Sequence, residues 1–348
     1  MGNKGIALLL GLAALIGGIV FYLSPKGSSE SLKFCTWSNY YPESILEDFT
    51  KKTGIRVELS YVSSNEELFA KLKAGATGYD LIQPSDYMVR QMTKLSMLKP
   101  LEHSQLPNLS HLDEYYLNLS YDRGLKYSVP FNWGTTGIAI NTEKVTVPGE
   151  GVSWKMLFES PDPKHTSLLD DMREVFAAVM LWKGNSINST SLPVLEAARN
   201  DIARIKDNIL MFSSEPKPLL LKGEITIAHI YSCDGIQAQI DNPKIRYFIP
   251  KEGGVVWTDN FAIPVSSRKE KEAHAFINYF LEPENALKIA TQNHLAIPNR
   301  TARARLPAEQ LNNPNFYPSA EVLVRMKFLE DLGDTLLTIN RMWTELKT

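Results

Sequence analysis

Strand-like and helix-like segments alternate along the chain after residue 30, and this order constrains the fold more than any other feature. In chain order they are a strand at 32–37, a helix at 42–53, a strand at 55–62, a helix at 65–73, a strand at 79–83 and a helix at 87–98. Gly54 follows the first helix and Asn65 starts the second as its predicted cap, and both residue types favour helix ends. The alternation predicts a mainly parallel sheet with helices on both faces.

A second α/β region follows Gly137. Its predicted strands are 167–170, 226–232 and 259–265, and its predicted helices are 172–183, 194–211, 237–241, 270–280 and 284–293. We expect residues 314–348 to be mostly helical. With 348 residues, the chain is long enough for two domains, each with a core of its own.

The first 30 residues predict export. Lys4 precedes an uncharged run from Gly5 to Leu23, which Ser24 and Pro25 interrupt. A basic start before such a run is typical of a secretory signal peptide, although the run is also just long enough to cross a bilayer. Cleavage and retention as a membrane anchor both remain open. In either case we expect the rest of the chain to work in the periplasm or otherwise outside the cytoplasm.

The charge balance and the cysteine count exclude several classes of function. The 37 basic residues nearly cancel the 39 acidic ones, so the concentrated positive charge of a nucleic-acid-binding protein is missing. The six histidines are scattered and predict no metal site or cofactor. An exported chain permits a disulfide, but we expect Cys35 and Cys233 to be two buried free thiols in strands.

Aromatic and acidic residues gather where the predicted strands end. Ligands of open α/β sheets bind at the carboxyl ends of strands. The junctions read Thr36-Trp37-Ser38-Asn39-Tyr40, Pro84-Ser85-Asp86-Tyr87, Leu169-Asp170-Asp171, Ile230-Tyr231-Ser232 and Trp257-Thr258-Asp259. Aromatic faces attract ammonium groups by about 0.5–2 kcal/mol each, and carboxylates form strong charge-assisted hydrogen bonds with them. The pattern therefore favours a cleft for an organic cation.

Each of these residues also has a purely structural interpretation. Trp37 and Trp257 have the character of core residues. Asp171 and Glu174 have the spacing of a helix N-cap and its N3 partner. Packing against neighbouring side chains is the alternative explanation for the tyrosine pairs at 40–41 and 115–116. The residues alone therefore predict a cation-binding cleft and do not identify the cation.

Six segments in order resemble the bacterial spermidine/putrescine-binding proteins of polyamine ABC transporters. They are FCTWSNY at 34–40, FTKKTGIRV at 49–57, YDLIQPSDY at 79–87, PFNWG at 130–134, DDMREVF at 170–176 and PKEGGVVWTD at 250–259. The resemblance covers essentially everything after residue 30. It implies an α/β, two-lobed periplasmic binding protein of type II with hinge strands, and a binding protein, not an enzyme.

The resemblance also implies lobe boundaries and site residues. Lobe 1 would comprise 31–136 and 258–310, and lobe 2 would comprise 137–257 and 311–348. The implied partners are a polyamine, putrescine or spermidine, and a membrane ABC permease. The implied ligand-binding residues are Trp37, Ser38, Tyr40, Ser85, Tyr87, Asp171, Glu174, Tyr231, Trp257 and Asp259.

Four positions depart from the family pattern. Tyr231 replaces a tryptophan, and Asn39 replaces an acid that is frequent in the family. Leu295 and Leu329 replace a tyrosine and a glutamine, so both lose hydrogen-bonding groups. Putrescine, spermidine in an altered pose and a different ligand are all open on these grounds.

Three other functional classes are alternatives to this interpretation. An α/β hydrolase would carry a G-x-S-x-G elbow, which the sequence lacks. A two-lobed ferric-iron-binding protein would use paired tyrosines, which Tyr40 and Tyr41 offer. A polyamine sensor that signals to a membrane partner would share the same fold and the same cleft.

Overall fold

A computed structural model describes residues 31–38, 40–75 and 78–348. The export segment 1–30 and Asn39 lie outside the described residues, and so do the expectations attached to them. Among the described residues, no helix is long and apolar enough to cross a membrane.

Nine strands of the described part form one sheet. They are β1 (Leu32–Thr36), β2 (Val57–Tyr61), β3 (Leu81–Ile82), β4 (Ser128–Asn141), β5 (Thr166–Leu169), β6 (Met211–Ser213), β7 (Ile227–Tyr231), β8 (Ile245–Phe248) and β9 (Val256–Ala262). Their order is β2-β1-β3-β9-β4-β7-β5-β6, and β8 pairs with β4. We call β2, β1 and β3 the first half of the sheet and β7, β5 and β6 the second half.

The strands are parallel, as predicted, only within each half of the sheet. Strand β1 is parallel to β2 and β3, and β5 is parallel to β6 and β7. The two central strands, β4 and β9, are antiparallel to each other and to their neighbours. The prediction of a mainly parallel sheet is therefore correct for the βαβ units and wrong for the centre, where the chain crosses between the halves.

Helices cover both faces of the sheet. The described helices are α1 (Glu43–Thr53), α2 (Asn65–Lys73), α3 (Asp86–Lys94), α4 (Glu114–Leu117), α5 (Lys155–Phe158), α6 (Met172–Trp182), α7 (Leu192–Lys206), α8 (Pro216–Lys222), α9 (Ser232–Asp241), α10 (Glu270–Leu281), α11 (Pro283–Gln292), α12 (Arg300–Arg303), α13 (Ala308–Leu311), α14 (Ala320–Leu323) and α15 (Thr335–Lys347). Gly54 ends α1 in the left-handed conformation, as its position predicts.

Strand β4 joins the two halves through its length. Its early residues pair with β9, and its later residues pair with β7 and β8. Nearly all of its 14 residues are buried. A backbone that is shared in this way positions the ends of both halves relative to one another.

Each half carries its own apolar core. In the first, Phe34, Phe261 and Phe276 pack with edge or tilted ring contacts at 5.2–6.0 Å between centroids. In the second, helices α6, α7 and α15 bury side chains such as Phe176 and Ile339 against the sheet. Burial of this kind contributes about 25 cal/mol per Å² of apolar surface.

Several predicted elements differ in extent. The helix predicted at 194–211 ends at Lys206, because Met211–Ser213 add to the sheet as an edge strand beside β5. The strand predicted at 259–265 begins at Val256, directly after a turn at Gly253 with φ of +91°. A side chain at Gly253 would place its Cβ 2.1 Å from the carbonyl oxygen of Arg325, so only glycine fits this turn.

Three further predictions need correction. Ser64, not Asn65, caps α2 through the backbone N–H of Glu67. Cys35 and Cys233 are buried and free, as expected, but Cys233 lies in α9 and not in a strand. Within 314–348 the helices are α14 and α15, and an irregular segment between them contacts the sheet centre through Lys327.

Candidate ligand-binding site

A cavity of about 180 Å³ opens at the carboxyl ends of the strands, between the two halves of the sheet. All ten residues of the predicted ligand set line it: Trp37, Ser38, Tyr40, Ser85, Tyr87, Asp171, Glu174, Tyr231, Trp257 and Asp259. They come together because β1, β3, β5 and β7 end at this edge and β9 crosses it. Their role in binding stays a prediction.

Aromatic rings form much of the wall. Trp257 is buried near the start of β9 and meets Tyr231 edge to face, with centroids 5.9 Å apart. Gly134 of β4 makes room for this ring, since a Cβ there would lie 2.5 Å from Trp257. Tyr40 and Tyr87 are also buried. The core and wall interpretations of these rings are therefore compatible.

Asp259 is held by two hydroxyl groups. Its Oδ1 accepts a hydrogen bond from Ser85 Oγ at 2.7 Å, and its Oδ2 accepts one from the Tyr40 hydroxyl at 2.8 Å. Asn65 in turn accepts a hydrogen bond from the Ser85 backbone N–H at 2.9 Å. Burial raises the pKa of Asp259 to about 6, although these hydrogen bonds oppose the rise.

Asp171 caps α6 and faces the cavity at the same time. Its Oδ1 accepts hydrogen bonds from the backbone N–H groups of Arg173 and Glu174, at 2.9 and 3.1 Å. The Tyr231 hydroxyl donates to its Oδ2 at 3.3 Å. The predicted capping interpretation is thus correct for Asp171, and one of its oxygens still turns toward the cavity wall.

Glu174 does not complete the capping box. Its Oε1 accepts a hydrogen bond from Thr136 Oγ1 at 3.1 Å, and its buried Oε2 has no hydrogen-bond partner within the described residues. Burial, followed by the charge of Asp171, raises its pKa well above the ordinary value. A buried carboxyl oxygen without a donor is a place where a cationic ligand would gain most.

Four acids outside the predicted set lie at the cavity or behind its wall, and Glu215 and Asp234 are two of them. Asp86 lies between Ser85 and Tyr87 and lines the cavity. Glu66 lies behind the wall and accepts a hydrogen bond from the Tyr87 hydroxyl at 3.0 Å. Burial raises the pKa of both carboxyls to about 7. The position of Asp86 at a predicted strand end was the only sequence feature that could have indicated its place at the cavity. No sequence feature indicated Glu66.

The positions that depart from the family pattern have different surroundings. Leu329 lines the cavity, whereas Leu295 is buried in the core of the first half. Tyr231 uses its hydroxyl on Asp171, a hydrogen bond that tryptophan would make with different geometry. The wall that Leu329 forms is apolar.

The paired-tyrosine alternative meets a geometric obstacle. The Tyr40 hydroxyl donates to Asp259, whereas the Tyr41 hydroxyl donates to Gln83 Oε1 at 2.9 Å. The Tyr41 ring stacks on Phe131 with centroids 5.4 Å apart, inside the first core. The two phenol groups therefore have different hydrogen-bond partners and do not form one pair of ligands at the cavity. No group of three or more His, Cys, Asp or Glu side chains in the described part is arranged to hold a metal ion.

A family model for bacterial extracellular solute-binding proteins matches residues 44–317. The chain belongs to this family. The spermidine/putrescine-binding periplasmic protein 1 of Haemophilus influenzae is 36% identical over 324 residues, which are 92% of this chain and 89% of that protein. The spermidine/putrescine-binding periplasmic protein of Escherichia coli is 35% identical over 344 residues, 98% of this chain and 96% of that protein.

Solved structures of the family share the fold. A Listeria monocytogenes ABC transporter protein gives a TM-score of 0.88 at 33% identity, covering 92% of this chain and 99% of its own. The spermidine/putrescine ABC transporter substrate-binding protein of Streptococcus pneumoniae gives 0.75 at 30% identity, covering 92% and 99%. The fold of this family member is that of a two-lobed periplasmic binding protein, as the motifs implied.

Proposed function

We propose that this chain captures a polyamine, spermidine or putrescine, outside the cytoplasm and delivers it to an ABC permease. The convergence of three acids on one aromatic-walled cavity carries the proposal. Asp171 and Glu174 come from the second half of the sheet, and Asp259 comes from the crossing strand β9. Rings cover the methylene stretches of such a ligand, and carboxyls pair with its ammonium groups.

The proposed mechanism is hinge closure. We assign lobe 1 to 31–136 and 258–310 and lobe 2 to 137–257 and 311–348, so the chain crosses between lobes along β4 and β9. A polycation that bridges acids of both lobes has a higher affinity for the closed form than for the open one. Such a difference in affinity is what a ligand-driven closure requires.

Transport relatives support a binding role and not a catalytic one. The two relatives are periplasmic proteins that bind spermidine and putrescine, by their names. We therefore propose the periplasm as the site of action and an ABC permease as the partner of the closed form.

A thermal-shift screen tests the proposal. The ligands are putrescine, cadaverine, spermidine and spermine, with an amino acid and ferric citrate as controls. A polyamine at about 100 times its Kd should add about 2.7 kcal/mol to the free energy of unfolding. If no polyamine shifts the transition while a control does, the proposed function is wrong.

A further inference from the structure

We propose that Asp86 is a further ligand-neutralising carboxyl of this cavity and that it biases the site toward ligands with three or more ammonium groups. The inference rests on the proposed function and adds a specificity determinant to the same site. It is carried by the burial of Asp86, its hydrogen bonds and the charge balance of the cavity.

Asp86 is 2% exposed and fixed by backbone donors. Its Oδ1 accepts from the Tyr87 N–H at 2.6 Å, and its Oδ2 accepts from the Thr258 N–H at 2.9 Å. A carboxylate offers about four acceptor positions, so lone pairs remain on both oxygens. No ion pair in the described part of the chain includes Asp86. It is a buried acid without a cationic partner of its own.

The buried charges around the cavity fit a triply charged ligand. Four lining carboxyls are at least nine-tenths buried: Asp86, Asp171, Glu174 and Asp259. Arg173 is the buried cation beside them, with its guanidinium over the Tyr87 ring and donating to the Glu330 carbonyl oxygen. When all are ionised, these side chains sum to three negative charges. Without Asp86 this sum over the most deeply buried side chains is two, which a diamine neutralises. Glu215 and Asp234 also line the cavity but are more exposed, and Glu66 lies partly exposed behind its wall. These three acids are the same with and without Asp86, so the change of one charge at Asp86 is what the comparison measures.

Burial raises the pKa of each of the four deeply buried carboxyls, so their ionisation is linked to the binding of a cation. Several groups act electrostatically on Asp86 or respond to its charge: Asp259 from β9, Arg173 and Glu174 from α6, and Tyr121. Burial raises the pKa of Asp86 to about 7, so near neutral pH part of its population is protonated. An ammonium ligand that ionises these acids must release protons to solvent.

If Asp86 only positions other residues, its replacement should affect ligand affinities in a different way. Its hydrogen bond with Thr258 also holds β9 to the start of α3, so loss of that bond would disturb the site for every ligand. Loss of the charge would instead weaken the binding of a triamine more than that of a diamine. The ratio of the two affinities therefore separates the two roles.

The test is calorimetry with putrescine, spermidine and spermine on the wild type and Asp86→Asn, in two buffers of different ionisation enthalpy. We expect Asp86→Asn to weaken spermidine and spermine by about ten-fold or more, and putrescine by less than about three-fold. The number of protons released should fall as well. Asp122→Asn is the matched control, because Asp122 is buried and accepts several backbone N–H groups away from the cavity.

The outcomes separate this inference from the proposed function. Equal weakening of all three ligands by Asp86→Asn, or a wild type that prefers putrescine to spermidine, overturns the inference alone. A wild type that binds no polyamine overturns both. If Asp86→Asn does not fold, Asp86→Ser keeps a side-chain acceptor at the start of α3 and is judged by the same ratio.

Discussion

Asp259 shows how a single buried carboxyl is prepared for a cation. Its two hydroxyl donors fix its position, and burial raises its pKa to about 6, so an ammonium group that pairs with it would favour its ionised form. The hydroxyl groups of Ser85 and Tyr40 cannot neutralise the charge, because neither is positively charged. The residue is therefore placed and hydrogen-bonded before any ligand arrives.

We predict that Asp259→Asn weakens polyamine binding by about 100-fold or more. A buried ammonium group that loses its acidic partner costs roughly 2–5 kcal/mol. The two hydroxyl groups can turn to suit an amide, so the fold should be retained. Titration calorimetry measures the loss, and circular dichroism checks the fold. An affinity equal to that of the wild type would place the ligand elsewhere.

His229 is a buried titratable group that does not line the cavity. It is fully buried in β7, and its ring meets Trp154 edge to face at 5.2 Å. Neither ring nitrogen has a hydrogen-bond partner in the described part of the chain. Burial lowers its pKa from 6.5 to about 3, so the folded protein keeps the imidazole neutral.

This depressed pKa predicts acid sensitivity. The unfolded chain binds a proton at His229 that the folded chain refuses, so the stability is complete above about pH 6.5 and is lost as the pH falls toward 3. At about pH 5 the loss is about 2 kcal/mol. His229→Leu should remove it and flatten the pH dependence of the melting temperature.

The buried acids act in the opposite direction, because their pKa values are raised on folding and their contribution is lost as the pH rises. The difference between the wild type and His229→Leu isolates the histidine, since both proteins contain these acids. If the melting temperatures of the two proteins change in parallel between about pH 4 and 7, the assignment to His229 is wrong.

At the scale of elements, the segment 327–331, which we call the strap, closes one side of the cavity. Asn188 holds it twice: its Nδ2 donates to the Phe328 carbonyl oxygen, and its Oδ1 accepts from the Glu330 N–H, both at 2.9 Å. Lys94 of α3 forms an ion pair with Asp331 at 2.6 Å. Leu329, in the middle of the strap, lines the cavity.

We predict that Asn188→Ala accelerates ligand release by about 3–10-fold. The two hydrogen bonds that it removes are worth about 1–3 kcal/mol together, part of which holds the strap over the ligand. Stopped-flow displacement measures the rate. Lys94→Ala is the control with a smaller expected effect, because an ion pair with an exposed lysine contributes about 0–1 kcal/mol. A release rate unaffected by Asn188→Ala would show that the strap does not limit escape.

The sequence predicts best the helices and strands that have a clear hydrophobic period or are bounded by turn-forming residues. Strands β1 and β5 and helices α1 and α6 lie close to their predicted bounds. Strand β4 was not predicted as a strand, because burial along nearly its whole length leaves no alternation of polar and apolar residues. Short edge strand β6 follows a helix too closely for its own pattern to be distinct.

The site was predictable to the extent that strand ends meet at one edge. All ten residues expected there line one cavity. Asp86 was missed because an acid in the first turn of a helix is ordinary. The strap was missed because its sequence has no strand or helix period, and tertiary contacts such as those of Asn188, Arg173 and Lys94 hold it at the cavity.

At the scale of the whole molecule, the acids are distributed so that no single part of the chain completes the site. Asp171 and Glu174 follow β5, whereas Asp86 follows β3, and the two groups meet because β4 and β9 connect the halves. Separation of the halves would divide the cavity and return each set of acids to water. Under the proposed hinge closure, a polycation would therefore stabilise the arrangement in which the halves are close.

We predict that a saturating polyamine lowers the radius of gyration measured by small-angle X-ray scattering. The ligand shifts the population toward closed molecules because it pairs with acids of both halves only there. Asp171→Asn should bind more weakly and, even at saturation, shift the population less, since one half then contributes a single acid. Asp122→Asn, whose acid lies away from the cavity, should close as the wild type does. A radius of gyration unchanged by a ligand that calorimetry shows to be bound would mean that capture occurs without closure.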